Sequence, residues 1–105
     1  MCSDLSVPIK ASSAHRVDAL LADLGSDRAA TREAAVAGLT VLGARAVDRL
    51  SALVTAEGPA TARATALGAL EAIGDPRAID TVVAAIDAPD SAVALAAAAA
   101  ARAFL

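Results

Sequence analysis

The chain has 105 residues, is 57% hydrophobic and 20% charged, carries a net charge of −3, and holds a single aromatic residue, Phe104. Its size fits one small domain, and the dearth of aromatic residues argues against the β-sandwiches and barrels that rely on them. Acidity, and the lack of anything for a base to stack on, argue against general nucleic-acid binding.

Alanine supplies 32 of the residues, so much of the apolar fraction reports helix-forming tendency more than core volume. An all-α fold is expected. Cys2 is the only cysteine, so no internal disulfide forms and nothing implies an oxidising compartment. Residues 1–6 lack the basic start and apolar run of a secretory signal. The alanine-rich stretch 92–101 is too short to span a bilayer. These features predict a soluble, cytoplasmic protein. Eight arginines against one lysine, with the alanine excess, suggest a GC-rich bacterial source.

Residues 1–13 show no sustained period and are expected to form an arm with at most one short turn. From Ala14 a helical period begins. Val17, Leu20, Leu21 and Leu24 form one stripe, which Gly25 ends, with Ser26 or Asp27 placed to cap the next helix. That second helix carries Ala35, Gly38, Leu39 and Leu42 inward and stops at Gly43. The third, from about Ala44 to Thr55, turns Val47, Leu50, Leu53 and Val54 inward, and Glu57-Gly58-Pro59 breaks it. The fourth buries Ala66, Ala69, Leu70 and Ile73. Gly74-Asp75-Pro76 then closes that helix and opens the fifth, with Pro76 in a tolerated first-turn position. Ile79, Val82, Val83 and Ile86 are the expected inward residues of the fifth, and Ala97, Ala100, Ala101 and Phe104 those of the sixth. Gly38 and Gly68 stand inside helices, where glycine is costly, and so predict close approach of a neighbour at both positions.

The six helices are three copies of one pair. Val17-Asp18-Ala19-Leu20, Val47-Asp48-Arg49-Leu50 and Ile79-Asp80-Thr81-Val82 align, as do Arg32, Arg63 and Ala94, and Leu42, Ile73 and Phe104. A two-helix unit recurring at about this length is the mark of an α-solenoid, in which no hairpin buries its apolar face alone. The units fall at about residues 14–43, 44–74 and 75–105, in a single domain spanning 14–105.

The stretch Ala72-Ile73-Gly74-Asp75-Pro76-Arg77-Ala78-Ile79 resembles the inter-repeat turn of the HEAT repeat, in the short form associated with phycobilisome lyase-like proteins. Thr31-Arg32-Glu33-Ala34-Ala35-Val36-Ala37-Gly38-Leu39 is similar to that family's second helix. The resemblance covers residues 14–105 and implies a right-handed α/α superhelix of three HEAT-like hairpins. The chain departs from the pattern at Ala14-His15, where the third repeat has Pro76-Arg77, and at Ala94, where the family's arginine usually stands.

Two sets of residues stand out. Asp27 precedes Arg32, and Glu57 precedes Arg63, so that each carboxylate lies in a turn and each guanidinium about one turn into the second helix; the family resemblance implies a structural ladder built from these pairs. Asp18, Asp48 and Asp80 recur after the first inward residue of each first helix and are expected to be a solvated acidic line, the alternative being a docking line for a basic partner. Catalysis is screened out by subtraction. One histidine and one cysteine do not make a zinc site, and His15 and Cys2 do not make a dyad. No Gly-x-Ser-x-Gly turn or phosphate cradle exists. No catalytic, cofactor or metal site is therefore expected.

The pattern points to a non-catalytic protein-interaction or assembly scaffold, binding through the surface lined by its second helices or through its ends. The alternative is an accessory or regulatory subunit of a lyase- or ligase-type enzyme complex. From Ser91 to Leu105 the only charge is Arg102, and a helix apolar all round is normally buried on all sides. Leu95, Ala98, Ala101, Arg102 and Phe104 are thus the expected interface, toward a homodimer mate or further repeats, with neither nucleic acid nor membrane as partner.

Overall fold

The computed structural model describes residues 9–104, which contain six α-helices and no strand. They are α1 (Ile9–Asp23), α2 (Ala29–Leu42), α3 (Ala44–Thr55), α4 (Ala60–Ile73), α5 (Ile79–Ala85) and α6 (Ser91–Ala101). A 3-10 turn, Pro76–Ala78, leads into α5, and another, Arg102–Phe104, comes after α6. The chain is all-α, a stack of helical hairpins α1/α2, α3/α4 and α5/α6.

Local chemistry sets the joints. Between α2 and α3 a single residue, Gly43, makes the reversal at φ 60° and ψ −129°, a conformation that suits a residue without Cβ. Gly74 ends α4 in the left-handed region at φ 69°, its N–H donating to the Leu70 carbonyl. Asp75 then accepts from the N–H of Arg77, and Pro76 starts the 3-10 turn. Asp90 caps α6 by accepting from the N–H groups of Ala92 and Val93. The first repeat is built differently from expectation. Neither Ser26 nor Asp27 is the cap of α2; that position is Arg28, and no side chain caps it. Ser26 Oγ instead accepts from the Arg28 N–H at 3.1 Å, closing a local turn.

Helix α1 begins at Ile9, inside the segment expected to be an arm. No glycine or proline interrupts residues 9–13, so nothing stops the helix there. Residues 1–8, Cys2 among them, lie outside the described residues.

The core runs through all three hairpins, and its largest fully buried side chains are Leu24, Leu39, Leu50, Leu67, Leu70, Val47, Val54, Val82 and Val93. Five of the nine belong to α3 and α4, because only the middle hairpin is covered on both flanks. Helix α4 packs against α2 on one side and α6 on the other, whereas the first helices touch each other less. The second helices thus form the tighter, inner row.

Two further expectations fail, each for a physical reason. Helix α5 does not bury the whole of its predicted stripe: Ala78, Val82 and Ala85 are buried, but Ile79, Val83 and Ile86 are 37%, 54% and 39% exposed. As the first helix of the last hairpin it has protein on one side only. Close approach also occurs at one of the two helical glycines and not the other. A Cβ at Gly38 would lie 3.0 and 3.1 Å from the methyl carbons of Leu20, whereas one at Gly68 would meet nothing within 4 Å.

Candidate functional site

The expected arginine ladder is replaced by a different set of bonds. Arg32 donates from Nη1 to the Ser26 carbonyl at 2.7 Å, and Arg63 from Nε to the Val54 carbonyl at 3.0 Å. Asp27 and Glu57 are exposed and make no ion pair with either arginine. The reason lies in the helix ends. The last carbonyls of a helix have no partner within it, and Val54 sits in the last turn of α3. A half-buried carbonyl without a donor is costly, whereas a carboxylate in an exposed turn is already well hydrated and gains little from pairing. Arg63 therefore ties α4 to the end of α3, whereas Arg32 ties α2 to the turn that follows α1. Ala94 removes this tie from the third hairpin, and the Asp90 cap steadies the start of α6 instead.

Links between hairpins run along the outer row. Asp18 of α1 pairs with Arg49 of α3, so this member of the expected acidic line is engaged and not merely solvated. Arg77 donates from Nη2 to the Ala44 carbonyl at 2.9 Å, joining the third hairpin to the second, while its guanidinium also bonds Asp75 at 3.3 Å. The Asp75 carboxyl is held below the ordinary carboxylate value, first by the Arg77 backbone N–H and then by its guanidinium. That same carboxylate raises the Arg77 pKa. Asp48 and Asp80 are exposed.

Two open hollows flank the arginines. One, of about 320 Å³, is lined by Val54, Thr55, Arg63, Thr81, Asp87 and Pro89 among others. The other, of about 270 Å³, is lined by Ala29, Arg32, Glu33, Val36 and Thr65. Neither holds a histidine or a cysteine, so neither presents the usual base–nucleophile pair. Among the described residues no group of three or more His, Cys, Asp or Glu side chains is placed to hold a metal ion.

An unpartnered apolar surface lies at the end of the stack beyond the third hairpin, apart from Val41, which stands exposed on α2. Of the five residues expected there, Leu95 is 71% exposed, and Ala98 and Arg102 are exposed on the same face of α6. Ala101 and Phe104 are half-buried and pack against the core. The 3-10 turn after α6 carries Phe104 back to it. The surface also includes Ile79, Val83 and Ile86 of α5, which the helical period had assigned to the core. A signal for them was present in the repeat alignment. Ile79 and Ile86 align with Val47 and Val54, which are 1% exposed on a helix packed against both α4 and α5.

HEAT repeats match residues 17–102. This is most of the chain, and with three stacked helical hairpins in view the protein belongs to the HEAT-repeat family. No curated protein gives a significant match. HEAT repeats are helical repeat scaffolds that commonly mediate protein interactions. No described helix is long and apolar enough to cross a membrane.

Proposed function

We propose that this chain is a non-catalytic assembly module that docks a protein partner on the open end of its stack, the face made by α5 and α6. One observation carries the reading. Residues at stack-forming positions stay large and apolar in the last hairpin, where a terminal repeat would carry polar side chains. Val47 and Val54 are 1% exposed, and their counterparts Ile79 and Ile86 are 37% and 39% exposed. With Val83 and Leu95 they leave an apolar surface of the kind that marks interaction sites. The occupant that such a surface fits is helical, either a further repeat or a second copy of the chain. The same reading expects a cytoplasmic protein.

The test is to append a duplicate of residues 44–74 after residue 105 and follow thermal unfolding. In a solenoid each added interface contributes to stability, so the midpoint is expected to rise as the new hairpin stacks on Ile79, Ile86 and Leu95. An unchanged midpoint, with the added segment unfolding separately, would show that the end is inert and overturn the reading.

A further inference from the structure

The exposed stripe of α6 is self-complementary. Ser91, Leu95, Ala98 and Arg102 succeed one another at helical spacing on the open face, and Arg102 lies about 16 Å along the axis from Ser91. Two such helices laid antiparallel bring Ser91 of one level with Arg102 of the other, and Leu95 level with Ala98. A large side chain then meets a small one twice, and alanine lets the axes approach.

The charges obey the same symmetry. Arg102 is the only charged residue of α6 and the 3-10 turn after it, and it stands at the C-terminal end. Asp90 stands exposed just before the N-terminal end, whereas Asp87 lines the hollow beside Arg63. Neither Arg102 nor Asp90 is in an ion pair among the described residues. Asp90 caps α6 through one oxygen, Oδ1, leaving Oδ2 for a cation.

Resting on the reading of this end as a docking face, we infer that its occupant is a second copy of the chain, with α6 packed on α6 about a two-fold axis. Arg102 of each copy lies at Asp90 of the other, and Ile79, Val83 and Ile86 of α5 border the contact. The arrangement is isologous and closes on itself. A head-to-tail copy gains no ion pair of the Asp18–Arg49 kind, since Ala19 would stand in the arginine's place.

Sedimentation equilibrium from low micromolar to near-millimolar protein tests this, with circular dichroism to check that each variant stays helical. The wild-type chain is expected to form a dimer, and Ala98→Glu to leave a helical monomer. Arg102→Glu is expected to weaken the dimer roughly ten-fold, since two symmetric ion pairs are lost together. Asp90→Asn, which retains a capping oxygen, weakens it likewise. A wild-type chain that is monomeric throughout overturns the inference, as does a dimer indifferent to both Ala98→Glu and Arg102→Glu. The appended hairpin separates the two levels of failure. If it stacks while the wild type stays monomeric, the end is a docking face and only its occupant is wrong. If it does not stack and no dimer forms, both readings fall.

Discussion

Replacing Arg63 with alanine removes the one donor that reaches the Val54 carbonyl at the end of α3. A hydrogen bond from a charged group contributes about 1.5–3 kcal/mol, and a buried acceptor left bare loses a similar amount. Here the bond is only partly buried, so water satisfies some of what the guanidinium leaves. The expected loss is therefore about 1–2 kcal/mol. In a domain of this size that is a fall in melting midpoint of roughly 5–12 °C, measured by circular dichroism and checked by urea unfolding. Glu57→Ala is the control that separates the observed bond from the expected ion pair. Glu57 is exposed and makes no side-chain hydrogen bond or ion pair with Arg63, so its loss is expected to change stability by no more than about 0.5 kcal/mol. An Arg63→Ala variant that melts like the wild type would refute the tie between helices. So would a Glu57→Ala variant that costs as much as Arg63→Ala, with the double variant costing no more than either, which is the signature of a coupled pair.

Other substitutions probe the remaining features. Gly68→Ala is expected to stabilise by about 0.5–1 kcal/mol, because the new methyl meets open space and the helix loses a flexible residue; a destabilised variant in the same melt would contradict the open site. Gly38→Ala should be at least about 0.5 kcal/mol less stable than Gly68→Ala, since Leu20 must move aside, and equal midpoints would refute that contact. Asp90→Ala removes the cap of α6 and is expected to cost about 1 kcal/mol, whereas Asp90→Asn, which retains a capping oxygen, costs much less; equal losses would mean the cap is not what holds the helix start. For Asp75, a folded pKa below the ordinary value of about 3.9 means that its contribution is fully present above that pH and is lost as pH falls through the folded value. The stability gap between wild type and Asp75→Asn, read from urea unfolding, should be constant above about pH 5 and close on further acidification. A gap that instead widens in acid would reverse the sign of the coupling.

How much of the fold and of the candidate site was legible in the sequence depended on whether a residue answers to its own helix or to its neighbours. The helices and their joints are local matters. Gly43, Gly74 and Pro76 punctuate the chain through their own backbone preferences, and a stripe such as Val47, Leu50 and Val54 declares itself by spacing. Arg32 and Arg63 recur in equivalent places, and spacing offers them Asp27 and Glu57, whereas their bonds run to backbone carbonyls. Sequence displays carboxylates and hides carbonyls, so Asp27 and Glu57 were visible partners while the bare carbonyls of Ser26 and Val54 were not. Gly38 and Gly68 read alike on paper. They differ because Leu20 from α1 reaches the first, while no side chain comes near the second.

The stripe of α5 shows most clearly where periodicity stops being informative. Spacing tells which residues share a face, and an apolar face is ordinarily a buried one. In a solenoid, however, burial is conferred by the next repeat in the stack, so identical faces have different fates by position alone. Val54 and Ile86 occupy equivalent places and are of one chemical kind, yet one is sealed and the other meets solvent. The distinction is between neighbours present and neighbours absent, which no window of residues encodes. The sequence did retain large apolar side chains in the last hairpin where polar ones would have closed the stack. Leu95, Val83, Ile79 and Ile86 each hold apolar area at a position where burial stabilises only if something arrives to bury it, and that conditional gain is the physical basis for assigning this end to association.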